Sequence, residues 1–338
     1  MFYHVFTIFD LEKNKLYQMK SKLSLIMALM MFAFATTQCK KKTAEETPEE
    51  EPAPQTGINT VAEIISTNGA AAATVTVDAV FASTININGT LIEIPNNAFQ
   101  TATGGTVGGV VSLTVKTILN KSQVILSGAG ANSSNSKLVS TKGCVKVTAS
   151  QNTQSLRLNP AGSFFVNVPD PSSPTPPPMK KYYAPKVTAV DSSVVWALGT
   201  DVNDVAQRTF SASSTVYHHA QLDSLKWLNV GVQFDSVPAT KVPVFVNVDG
   251  TRFNKTNTLV YISFNNSLTV GALFEISSGV FRVSNMPQGK GVHIFGVSVI
   301  NGQYYAAVVS TTVSSTPVTL NLLPVSHATM KNMVSALP

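Results

Sequence analysis

Cysteine is nearly absent from this chain. Only Cys39 and Cys144 occur in 338 residues, which excludes a disulfide-stapled scaffold and any site built from paired C-x-x-C motifs. Charge is scarce too, with Asp, Glu, Lys and Arg making up 12% of the residues and a formal net charge of +6. Beyond Lys180-Lys181 the body of the chain has no basic cluster, which argues against nucleic acid as a partner. There are five histidines and no H-E-x-x-H, G-x-S-x-G elbow, P-loop or dinucleotide fingerprint, so no cofactor or metal is expected. The carboxylates are too sparse to single out a glycosidase pair.

What the chain has is a leader. A basic stretch, Met19-Lys20-Ser21-Lys22, precedes an apolar run at 23–35, which is followed by Thr36-Thr37-Gln38-Cys39 and then Lys40-Lys41-Lys42. The run is shorter than the roughly 20 residues a membrane-spanning helix needs. The parts match a secretory signal peptide over 1–38 that is removed, with Met19 as the expected start and Cys39 as the lipidated residue. Gln38 stands where a small residue is usual before a lipidated cysteine, and the alternatives are a general secretory signal cut near Ala35 or an uncleaved anchor. Residues 39–57 hold the lysine triplet and Glu45, Glu46, Glu49, Glu50 and Glu51 among prolines. They read as an extended, disordered tether.

The rest reads as all-β, rich in Val, Thr, Ser and Asn. Apolar residues alternate with polar ones at Val75 and Val77, Ile85 and Ile87, 111–115, Val145 and Val147, and Val166 and Val168. A second series follows at 242–248, 259–264, 280–283, 292–299, 304–309 and 318–322. Turn signals separate them, including Asp249-Gly250 and Asn301-Gly302. Residues 61–65 predict a short helix. Ser326 predicts the cap of another, with Met330, Met333, Val334 and Leu337 on one apolar face. The proline block at 170–178 reads as a semi-rigid spacer. The expected architecture is two β-sandwich-like domains in tandem, at 58–169 and 182–338, joined by a Pro-rich linker at 170–181.

The segment Leu91-Ile92-Glu93-Ile94-Pro95-Asn96-Asn97-Ala98-Phe99, with Leu138-Val139-Ser140-Thr141-Lys142-Gly143 further on, resembles a β-rich module of Bacteroidota-type cell-envelope lipoproteins. That module is also similar to the domain shared by ankyrins, netrin receptors and zonula-occludens scaffolds. The resemblance implies a lipid anchor at Cys39, an outer-membrane location on either face, and an envelope protein or polysaccharide as ligand. It carries no catalytic signature. Asp223-Ser224-Leu225 and Asp235-Ser236-Val237 match the short pattern of an O-glycosylation site in such proteins, at Ser224 and Ser236.

Individual residues read as structural first. His218 and His219 are neighbours, so on a strand they point to opposite faces. Cys144 reads as packing, Trp227 as core, and the oxygens of Asp201, Asn203 and Asp204 as an Asx-rich turn. Three functions follow: a non-catalytic lipoprotein acting in binding, adhesion or assembly; an accessory glycan-binding lipoprotein, if Trp196 and the tyrosines are exposed; and, least favoured, a hydrolase without a recognisable motif.

Overall fold

The computed structural model describes residues 57–134, 137–170, 178–184, 195–199, 205–209, 215–234, 240–265 and 267–338. Cys39, Ser236, the Asp201–Asp204 turn and the core of the proline block lie outside them.

Helix α1 (Val61–Asn68) opens on a reciprocal capping box, in which the Thr60 hydroxyl accepts from Glu63 N and the Glu63 carboxylate accepts from Thr60 N at 2.8 Å. Two amide hydrogens that the helix leaves unpaired are thereby satisfied. Then come β1 (Ala72–Asp78), β2 (Ser83–Ile87), β3 (Thr90–Ile94), β4 (Phe99–Gln100) and β5 (Val110–Ile118). Asn88 and Gly89, both at positive φ, close the β2–β3 hairpin, the geometry that a two-residue hairpin turn requires. Helix α2 (Lys121–Leu126), capped by Asn120, was not foreseen from sequence; six residues are too few to show a period. The chain continues through β6 (Leu138–Gln151), β7 (Gln154–Ser155), β8 (Arg157–Leu158) and β9 (Phe165–Asp170). After the proline block come β10 (Lys180–Tyr183), β11 (Ala197–Leu198), β12 (Ala206–Thr209), β13 (Val216–Gln221) and β14 (Trp227–Phe234).

Apart from β4 and β8, which pair with each other, these strands form two facing sheets. One runs β1-β5-β6-β14-β10-β11, with β7 on the end of β6; the other runs β12-β13-β9-β3-β2. Their inward faces share a core that includes Ile92, Val111, Leu113, Val145, Val166, Val168 and Leu228. The remaining strands are β15 (Lys241–Asn247), β16 (Thr258–Phe264), β17 (Val270–Ser277), β18 (Val280–Pro287), β19 (Gly291–Ile300), β20 (Gln303–Thr312), β21 (Val318–Thr319) and β22 (Leu323–Val325). They build a third sheet in the order β21-β15-β18-β17-β16-β19-β20-β22. Its Asn301-Gly302 turn closes the β19–β20 hairpin as expected. Asp249-Gly250 turns the chain without closing a hairpin, because β15 pairs with β18 and β21.

The all-β fold and the short C-terminal helix are as the sequence predicts. Helix α3 (His327–Ser335) starts at Ser326, whose hydroxyl accepts from Thr329 N, and buries Met330 and Val334. The pairing departs from the expected boundary at 170–181. Strand β13 pairs with β9, and β14 pairs with β6, so strands from both sides of the proline block interleave in the same two sheets. The physical reason is that prolines lack the N–H to continue a ladder. Here they stand where the chain leaves one sheet at Asp170 and enters the facing one at Lys180.

The outer face of the first sheet is buried as well along β6, β14 and β10, and exposed at β1. Cys144, Tyr182, Trp196 and Trp227 meet Leu259, Tyr261, Phe295 and Val297 of the third sheet, with Ile64, Ile125, Met330 and Val334 from the three helices around them. A third core lies on the far face of that sheet, where Ile262, Phe264 and Phe281 pack under Phe253, Leu320 and Leu322. Double burial explains why every residue of β16 is buried and why its sequence runs apolar without alternation.

Candidate functional site

Strand β6 carries a β-bulge. Gly143 pairs with Val230 and Thr141 with Gly231, which leaves Lys142 as the extra residue. A bulge re-aims the side chain it inserts. Two glycines make this one possible. A Cβ on Gly143 would lie 2.7 Å from Val168 Cγ1 and 2.9 Å from Leu119 Cδ2; one on Gly231 would lie 2.6 Å from Val139 Cγ1. Neither position has room for a side chain.

The bulge turns Lys142 towards the end of β9, where its Nζ lies 3.1 Å from Asp170 Oδ2. Asp170 is buried, and the same oxygen lies 3.0 Å from Nε2 of His218, which is completely buried on the inward face of β13. A carboxylate only accepts, so Nε2–H donates and Nδ1 carries the lone pair. Nδ1 has no partner among the described residues. Burial holds the His218 pKa below its usual value, against the opposing pull of Asp170 and with help from the Lys142 charge. The imidazole is therefore neutral, and a chain of three groups runs from the interior to the surface.

Lys142 and Asp170 line a cleft of about 730 Å³. Its other walls are the start of α2, the 267–268 turn and the end of α3. Lys121 closes one side. It donates to the carbonyls of Phe264, at 2.8 Å, and Pro338, and burial lowers its pKa. Ser140 adds a hydroxyl, and Leu119, Leu268, Val334 and Leu337 supply apolar wall; the buried Thr141 hydroxyl is turned inward, donating to Asn229 Oδ1 at 2.7 Å. The cleft thus offers two ammonium groups beside one carboxylate. His218 lies behind Asp170 and is not part of the lining.

The adjacent histidines face opposite ways, as expected. On the outer face of the second sheet His219 Nδ1 lies 2.7 Å from Asn167 Oδ1 and its ring stacks on Phe165 at 4.2 Å. Asn167 also donates to Glu93 at 2.9 Å, and Glu93 pairs with Arg208 at 3.1 Å. Among the described residues no group of three or more His, Cys, Asp or Glu could hold a metal. Cys144 is fully buried, and desolvation pushes its thiol up to about 12, so it is a protonated packing group.

The aromatic residues considered for a sugar platform are in the core. Trp196, Trp227, Tyr182, Tyr183, Tyr217, Tyr304 and Tyr305 are all buried, so they present no exposed ring pair. Ser224 is half-buried on the turn before β14, and the neighbouring Asp223 accepts from Tyr183 Oη at 2.6 Å.

The neutral state of His218 has a consequence for stability. Its folded pKa lies below the ordinary 6.5, so below that pH the unfolded chain binds a proton that the folded chain does not. The same sign holds for His219 and His327, both lowered mainly by burial. Stability should be full above the unfolded value and fall as the pH drops below it. Urea midpoints at about pH 7.5 and about pH 5.5 should show a decrease that His218→Gln reduces; an unchanged or rising midpoint would contradict a buried neutral imidazole.

No family model matches the chain, and comparison with curated proteins and with solved structures finds none that is similar.

Proposed function

We propose that this chain is a non-catalytic lipoprotein of the bacterial cell envelope, held at the outer membrane by lipid on Cys39 and acting in binding, adhesion or assembly. The observation that carries the reading is the support given to the cleft. Asp170 is engaged by Lys142 and His218, His218 is sealed behind it, and Cys144 is buried and protonated. The groups that acid–base or nucleophilic chemistry would draw on are held in the framework, where they fix the position of Lys142. A wall of that kind suits recognition. Lys121 and Lys142, with the hydroxyl of Ser140, suit a ligand bearing a carboxylate or another anionic oxygen group. The leader, the charged tether and the resemblance to envelope lipoproteins support the location.

The anchor and the cleft are tested separately. Replacing Cys39 with Ser should release the protein from the detergent-dependent membrane fraction; unchanged fractionation would refute the anchor. The unit spanning Pro52–Pro338, used to capture components of an envelope extract, should lose its specific ligand when Lys142 is replaced by Met. Capture that is indifferent to Lys142 would move the binding site elsewhere.

A further inference from the structure

Sheet edges are liabilities that proteins shorten, bend or charge. The third sheet ends in β21 and β22, of two and three residues, the latter containing Pro324. The first sheet ends on one side in the two-residue β11. The second ends in the four-residue β12, with Arg208, and the five-residue β2. β1 is different. It has seven residues, an unbroken register with β5, and neither proline nor lysine. Its other edge has no strand partner among the described residues.

We propose that β1 is a self-association edge, at which β1 of a second copy of this chain adds antiparallel about a two-fold axis through Val75. The pattern of β1 admits few registers. Ala73, Val75 and Val77 face the inner core, while Ala72, Thr74, Thr76 and Asp78 face out. Residues directly opposite each other in an antiparallel pair point to the same side of the sheet. An axis through Val75 sets Val75 against Val75, Ala73 against Val77, Thr74 against Thr76 and Ala72 against Asp78. Every pair then matches in face, all seven residues are paired, and the core continues across the junction. A one-residue slip would set valines against threonines.

Charge selects the same arrangement. Ala72 is paired on its other side with Lys116, and Lys116 with Lys146. The two ammonium groups are neighbours on one face, and the Lys116 pKa is lowered by burial and by the Lys146 charge. Lys116 makes no ion pair among the described residues. In the paired form the carboxylate of the second copy's Asp78 lies beyond Ala72, roughly two strand spacings or about 9.6 Å from Lys116 at the backbone. Alanine leaves the way open for the long Lys116 side chain to extend across it towards Asp78, whose Oδ1 also accepts from Val80 N. The dimer therefore brings one carboxylate to an uncompensated pair of lysines, twice by symmetry. Parallel addition through the same edge would instead turn the second copy's sheet over and set its threonines beside these valines. Phe81, 68% exposed just beyond β1, comes next to the second copy's Gly69-Ala70-Ala71 segment.

The test uses the unit Pro52–Pro338, which contains all three cores. Sedimentation over roughly 1 μM to 1 mM should show a monomer–dimer equilibrium in the micromolar range, as a small interface warrants. Asp78→Lys should weaken it at least about tenfold, by setting like charges together. The double variant Asp78→Lys/Lys116→Glu should restore it. Both variants lose the bond from Val80 N to Asp78 Oδ1, 2.9 Å in the parent, so their melting curves should match each other, which separates loss of association from loss of fold. A monomer across the whole range would overturn the proposal. So would a dimer indifferent to Asp78→Lys, or one that the double variant fails to restore.

Discussion

Replacing Asp170 with Ala is expected to destabilise the unit Pro52–Pro338 by about 3–5 kcal/mol, the cost of removing one member of a buried charged network. Asp170 is buried and accepts from both His218 and Lys142. Without it the His218 Nε2–H has nothing to donate to, and an unpaired buried donor costs its full desolvation. Lys142 loses its anchor at the same time, so the bulge loses the interaction that orients it. Asp170→Asn should cost less, since an amide oxygen still accepts from His218. Urea unfolding followed by far-UV circular dichroism measures both. A loss under about 1 kcal/mol for the Ala variant would mean that the network contributes little to the fold.

Replacing Trp196 with Ala should cost about as much, on the order of 3–5 kcal/mol for a large aromatic removed from a core. Trp196 has no exposed surface, donates from its indole nitrogen to Gly130 O at 2.8 Å, and meets Trp227 edge-on at 6.4 Å. Its place between the first and third sheets makes the variant a test of architecture as well. The two sheets share one core, so the loss should appear as a single shifted transition and not as early melting of one half. Cutting the chain within 171–177 should likewise leave the fragments associated, because β13 and β14 are hydrogen-bonded to β9 and β6. Fragments that separate and melt independently would restore the boundary expected from the proline block.

Strand positions were legible in the sequence because alternation is a local property. Val75 with Val77, Ile85 with Ile87, and Val166 with Val168 each fall on a strand. Helix α3 was legible from its cap at Ser326 and its spacing, and the opposite facing of His218 and His219 follows from the period of a strand. Partner choice was not legible. A proline block ends a strand in the same way whether the next one joins a new domain or returns to the old one. The aromatic residues were equally silent: a buried ring and an exposed sugar platform have the same composition, and only the stacking of the third sheet on the first put Trp196 and Tyr182 inside.

The candidate site belongs almost wholly to tertiary structure. His218 could be named from sequence, but its partner Asp170 reads there only as the first residue of a linker. Lys142 lies in the segment 138–143, where nothing local requires Gly143; only the fold sets Val168 and Leu119 against it. The bulge needs one extra residue in β6 measured against β14, more than 80 positions away in the chain. Local sequence determined which segments are extended and which of their residues face inward. Register between distant strands decided that Lys142, Asp170 and His218 meet, because a cross-strand neighbour is set by the packing of whole sheets and not by the residues on either side.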